Sequence, residues 1–259
     1  MIVTHSVDLP TITLPNSALS GVQLVTKEDC KGFTVYEARI PANAVVPLRS
    51  PDDTKSFHIY YCISGNGKST AQDGDRKDVT PDTVVALSCD VTFELTVAAE
   101  SGMRLFVTYC PAVDVESKSL AVVRHLSELL GTERDIDWGK GNSRRFLIKE
   151  DGFPLGLHNT WVYPKTSTRL GYQNHIEGVY YISGQVTYSW EDTSGEWVHA
   201  DTKTNTENGT NYLMNIHDPH IVKSDEKDCY CICIFDPVLN GKENHTLTED
   251  GFSGYEHSK

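Results

Sequence analysis

Glu177, Tyr212 and His220 fall in two strand-like segments, GYQNHIEGVYYISG at 171–184 and NYLMNIHDPHIVK at 211–223. Together these could bring a carboxylate, a phenol and an imidazole to one point. A carboxylate in an otherwise apolar, aromatic strand is costly inside a barrel unless it is paired or bound to a cation. His217-Asp218-Pro219-His220 supplies imidazoles after a turn, and Tyr212 opens the strand leading into it. Carboxylate, imidazole and phenolate oxygen suit a hard-to-borderline divalent metal such as iron, with Zn2+ as another divalent choice. Three protein ligands leave positions open for a substrate, which is the arrangement of a catalytic centre rather than a structural one. Taken singly, such a Glu belongs at a wet sheet edge and such a His on a polar loop. The metal reading therefore depends on the rest of the chain.

The elements that must position these residues are strands. Short β-rich runs at 32–40, 57–64, 84–87, 92–97, 104–109, 145–148, 157–163, 178–183, 185–190 and 230–235 are separated by turn signals such as Asn66-Gly67, Asp73-Gly74, Ser194-Gly195 and Asn208-Gly209. This is the pattern of an all-β jelly roll or cupin barrel. The one helical expectation, 125–130, rests on Leu126, Leu129 and Leu130 ahead of Gly131. Length alone leaves one or two domains open, and an internal repeat decides for two. Tyr60-Tyr61-Cys62-Ile63-Ser64-Gly65 echoes Tyr180-Tyr181-Ile182-Ser183-Gly184, Phe106 to Pro111 answers Cys231 to Pro237, and Met1-Ile2-Val3 answers Ala121-Val122-Val123. The matches recur in order at a spacing of roughly 120 residues, as duplication and divergence would leave them. The expected architecture is a tandem, or bicupin, with domains at 1–114 and 115–259. Where the second half has Glu177, Tyr212 and His220, the first is expected to carry His58, Val85 and Phe93, so it should bind no metal.

The formal charge of −13 comes with no basic run, which disfavours nucleic acid and anionic membranes as partners. The opening MIVTHSVDLPTITLP has neither the basic start nor the apolar run of a signal peptide, and no segment approaches a membrane span. A cytoplasmic enzyme with a small-molecule substrate is the expectation. Seven cysteines without a CxxC spacing argue against a disulfide framework or a zinc ribbon. Cys229, Cys231 and Cys233 alternate and so share one strand face, where they read first as small buried hydrophobes.

From about Val122 to Gly254 the chain resembles the ectoine synthase family of cupins. The resemblance is carried by VVRHLSELLGTERDIDWGKGNSRRFLIKEDG, YQNHIEG, HDPHIV and CIFDPVLNGKENH. It implies that Glu177, Tyr212 and His220 are ligands of an iron ion, one per chain. It further implies that Trp138, Arg145, Thr160, Tyr172, Cys233 and Phe235 bind substrate, with Arg144 as the alternative to Arg145, and that Tyr212, Glu243 or His245 handles the proton. The implied reaction is closure of N-γ-acetyl-L-2,4-diaminobutyrate to ectoine with loss of water. The alternatives are a cupin lyase or hydro-lyase acting on a related amino acid or osmolyte, and a non-enzymatic solute-binding bicupin. The sequence departs from the family at Pro154-Leu155-Gly156 and in the long polar tract 189–209. Family members dimerise, which implies two cupin domains forming an intrachain pseudo-dimer, with a homodimer of the chain as a further expectation.

Overall fold

The computed structural model describes residues 1–15, 17–49, 53, 55–112, 119–247 and 253–255, with side chains given up to residue 245. In chain order the strands are β1 Ile2–His5, β2 Ile12–Thr13, β3 Ser20–Val25, β4 Thr34–Ile40, β5 Val45–Pro47, β6 Ser56–Ser64, β7 Gly67–Ala71, β8 Arg76–Val79, β9 Thr83–Leu87, β10 Phe93–Val97, β11 Met103–Pro111 and β12 Ala121–His125. They continue as β13 Asp135–Asp137, β14 Gly141–Leu147, β15 Gly156–Val162, β16 Ser167–Leu170, β17 Ile176–Ser183, β18 Val186–Glu191, β19 Trp197–Asp201, β20 Thr210–Met214, β21 His220–Ser224, β22 Cys229–Asp236, β23 His245–Leu247 and β24 Ser253–Tyr255. Each run expected as a strand is one. The helix expected at 125–130 is a single 3-10 turn, Leu126–Glu128. A nucleus that short cannot repay its ordering cost, and Gly131 follows at φ 71. Among the described residues no helix is long and apolar enough to cross a membrane.

The chain forms two compact units, one of residues 9–128 and one of residues 1–8 with 129–259. The 114/115 division expected from the sequence lies outside the described residues, and the units do not follow it on either side. β1, from the very start of the chain, pairs with β20 in the second unit, while β12 pairs with β9 in the first. Edge strands need a partner, and here each barrel takes its edge from the segment that precedes the other barrel's sequence.

Both units are two-sheet barrels of the same strand order. The second has β1-β20-β17-β22-β15-β14-β13 facing β19-β18-β21-β16, the latter extended by β24-β23. The first has β12-β9-β6-β11-β4-β3-β2 facing β8-β7-β10-β5. Alternation along the strands sends one side-chain set inward. In the first unit that core includes Tyr36, Tyr60, Val85, Leu87, Val107 and Tyr109; in the second it includes Val179, Tyr181, Tyr188, Tyr212, Cys233 and Phe235.

The ladders set the two interiors in correspondence. Glu177 lies opposite Met214 and Phe235, as His58 lies opposite Leu87 and Tyr109. Tyr212 faces Val179, as Val85 faces Tyr60. His220 faces Trp190 at the start of β21, as Phe93 faces Ala71 at the start of β10. The correspondence of Glu177, Tyr212 and His220 with His58, Val85 and Phe93 thus follows from strand register.

Candidate active site

A small cavity opens inside the second barrel, lined from β14, β15 and β22 by Ser143, Thr160, Cys231, Cys233 and Phe235 and from β17 by Glu177, Val179 and Tyr181. The opposite sheet contributes Thr168, Leu170, Tyr188 and Val222, and Trp138, Tyr172 and His245 complete the wall. Its free volume of about 40 Å³ has room for about three waters.

Glu177 is 4% exposed, and its Oε2 has no hydrogen-bond partner. Burial, then the neighbouring Cys233 thiol, raises its pKa well above the ordinary carboxylate range, so without a counter-charge it holds its proton. His220 donates from Nδ1 to the carbonyl of Asp218 at 2.8 Å. That bond places the lone pair on Nε2, which is buried and also without a partner. Burial lowers the His220 pKa to about 4, so the ring is the neutral imidazole a metal requires.

Tyr212 is placed differently. Its hydroxyl donates to the carbonyl of Ala200 at 3.2 Å, and its ring stacks on Tyr188 with centroids 3.9 Å apart at 14°. Tyr188 is also stacked with His220, at 5.2 Å and 18°. Among the described residues no three His, Cys, Asp or Glu side chains could hold a metal ion, so an ion here depends on a phenol or on non-protein ligands. The donor chemistry fits such an ion. Two ligand-type atoms, Glu177 Oε2 and His220 Nε2, are buried and unsatisfied, and freeing the Tyr212 oxygen requires breaking one hydrogen bond.

Of the residues expected to bind substrate, Trp138, Thr160, Tyr172, Cys233 and Phe235 line the cavity. Arg145 does not. It lies on the inward side of β14 with Ser143, but it is 1% exposed and pairs with Glu243, bonding its carbonyl oxygen and approaching its carboxylate at 3.9 Å. Arg144 points to the other face, donating to Asn159 Oδ1 at 2.5 Å and lying over the Trp161 and Tyr230 rings. Strand alternation therefore separates two arginines that are adjacent in sequence. Glu243 is likewise outside the cavity wall. Its carboxylate accepts the backbone N–H groups of Asn240 and Gly241 at 2.7 and 2.9 Å, which folds the loop that delivers His245. The His245 ring sits 5.1 Å from Trp138 and 6.1 Å from Tyr172 by centroid. Burial, then the Arg145 charge, lowers its pKa to about 4.

Sequence reasoning missed Tyr188, whose hydroxyl is 3.4 Å from that of Tyr181. The alternating Val186, Tyr188 and Trp190, all buried, carried the signal: a period-two apolar face on the strand after Glu177. It also missed Ser143, which bonds His158 Nδ1 at 3.0 Å.

A family model described as ectoine synthase matches residues 121–256. The L-ectoine synthase of Desulfatibacillum aliphaticivorans is 39% identical over 132 residues, covering 50% of this chain and 94% of that protein. That of Desulfosudis oleivorans is 36% identical over 124 residues, covering 48% and 91%. Solved structures resemble the chain along nearly its whole length. A mutant of Bacillus subtilis oxalate decarboxylase aligns with TM-score 0.68 at 12% identity, over 92% of this chain and 78% of that one. A putative glyoxylate induced protein from Pseudomonas aeruginosa aligns with TM-score 0.68 at 14% identity, over 92% and 87%. At such identities the likeness shows the fold alone, the double cupin barrel.

Proposed function

The chain belongs to the ectoine synthase family, and from that premise we propose that its second barrel closes N-γ-acetyl-L-2,4-diaminobutyrate to ectoine with loss of water, in the cytoplasm. The observation that carries the reading is Glu177: a buried carboxylate with an unsatisfied oxygen in the cavity wall, in the half of the chain that matches the family.

Glu177 and His220, with Tyr212 once it leaves Ala200, would hold one divalent ion, which we take to be Fe2+. When bound, such an ion supplies Lewis acidity at the amide oxygen. The residues supply the rest. In the reaction the substrate's free amine forms a C–N bond to its own acetamide carbon, and the carbonyl oxygen departs as water. Six-membered closure needs a folded chain, and the apolar walls of Trp138, Tyr172 and Phe235 hold it bent. The attacking amine must lose a proton. His245, neutral at pH 7 and in the cavity wall, accepts it and can return it to the departing oxygen, which takes its second proton from a nitrogen of the new ring as the C–O bond breaks and the C=N bond forms. Glu243 serves differently from the role expected of it: committed to two backbone amides and to Arg145, it positions His245. Because Arg145 is paired with Glu243 outside the cavity wall, the substrate carboxylate would meet the Thr160 hydroxyl of the wall instead. We further propose that the first barrel holds no ion, so that metal content is one per chain.

Incubating iron-loaded protein with N-γ-acetyl-L-2,4-diaminobutyrate is expected to yield ectoine. Absence of product across pH and salt would overturn the assignment.

A further inference from the structure

Cys231 and Cys233 both line the cavity, and the proposed reaction makes no use of Cys231. On β22 they face the same way, Cys231 opposite Thr160 and Tyr181, Cys233 opposite His158 and Val179. Their sulfurs are 3.9 Å apart, both are free thiols, and they are 1% and 5% exposed. Cys229 continues the alternation but turns its thiol away, to the carbonyl of Gln185 at 3.3 Å.

Packing does not require sulfur at these places. In the first barrel the matching ladder positions, opposite Ala38 and Tyr36 on β4, are Leu105 and Val107. A disulfide is disfavoured, because residues two apart on an extended strand are about 6.6–6.8 Å apart at Cα, the upper limit for the bridge. A shared ion is a better match. Two metal–sulfur bonds of about 2.3 Å span at most about 4.6 Å, so sulfurs 3.9 Å apart can both reach one ion. With no third His, Cys, Asp or Glu converging among the described residues, the site suits an ion content with two soft donors.

We propose that Cys231 and Cys233 form a two-sulfur site for a soft monovalent cation, cuprous ion, in the cavity wall, using sulfur donors rather than the oxygen and nitrogen of Glu177 and His220. Binding displaces thiol protons to solvent. The site stands whether or not the barrel makes ectoine, and its test reads binding alone.

The test is an anaerobic titration of the metal-free full-length protein with Cu(I) held in a cuprous chelator, followed by near-ultraviolet sulfur-to-copper charge-transfer absorption. One equivalent is expected for the unaltered protein and for Cys229→Ser. Cys231→Ser and Cys233→Ser should each weaken binding by at least about 100-fold. Cys231→Leu and Cys233→Val, which install the residues the first barrel tolerates, should lose it equally and guard against misfolding of the serine variants. The proposal is overturned if the unaltered protein takes up no copper, if any of these four variants binds like it, or if Cys229→Ser abolishes the signal.

Discussion

In the first barrel His58 donates and accepts to saturation. Its Nε2 is 2.7 Å from Asp53 Oδ2, its Nδ1 is 2.9 Å from the Tyr60 hydroxyl, and its ring stacks on Tyr109 with centroids 4.1 Å apart. Arg49 closes the region by donating to the carbonyls of Asp53, Ser56, Cys89 and Leu87. Burial by itself would raise the Asp53 pKa, but the His58 bond, the Lys55 amide and the Arg49 charge bring it down to about 2. At the matching rungs of the second barrel Glu177 Oε2 and His220 Nε2 are buried with nothing to bond. The same strand order thus supports a His58 ring bonded at both nitrogens from within its barrel and a Glu177 and a His220 that each keep one buried, unbonded atom. An unsatisfied buried polar group costs about 1–3 kcal/mol. Such a cost is tolerable where a ligand removes it, and the contrast therefore points to the second barrel as the working one.

The contrast can be broken in several ways. The largest expected effect is from Glu177→Ala, which should lose bound metal and reduce ectoine formation by roughly 100- to 1,000-fold; retention of both iron and rate would remove Glu177 from the site. His58→Ala, at the matching rung, should leave rate and metal content unchanged while costing about 3 kcal/mol in urea unfolding, because Asp53 loses its buried partner. A loss of metal there would mean that the first barrel also carries a site.

Removing residues 1–8 should destabilise the barrel that holds the cavity, by about 2 kcal/mol, since Val3 pairs with Tyr212 along β1. Hydrogen exchange should then quicken in β20 and not in β9, whose edge is β12.

A smaller effect concerns pH. His245 has a folded value of about 4 against 6.5 for the free side chain. Between those values the unfolded chain binds more protons, so stability falls as pH drops from about 6.5 towards 4 and is unaffected above. The ring is partly exposed, and the expected loss is about 1–2 kcal/mol. His245→Asn should make that part of the melting-temperature profile shallower, with the buried His220, lowered to the same value, keeping the rest of the slope. Smallest is Tyr188→Phe, which removes a hydroxyl 3.4 Å from Tyr181 and should cost no more than about 1 kcal/mol; a collapse of metal affinity would instead make that phenol a ligand.

Much of this was legible without coordinates. The strand runs, the repeat and the pairing of Glu177 with His58 follow from a period of two and from turn residues, which are local properties of the chain. Arg145 and Glu243 show where that kind of reading stops. Both look like free charges in polar segments, and nothing nearby in sequence says that they meet across 98 positions. The helix expected at 125–130 failed for a related reason: three leucines make an apolar stripe, but one turn has too few hydrogen bonds to hold without packing along its length.

By itself the sequence determined two β barrels from one repeat, the family of the second half, and a carboxylate too deeply placed to be left alone. Only the tertiary structure decided that β1 and β12 are exchanged between the units, that Glu243 shapes a loop while His245 reaches the cavity, and that the Tyr212 hydroxyl is held by Ala200. These outcomes depend on which distant backbone atoms lie within about 3 Å of a side chain. No spacing along the chain encodes that distance.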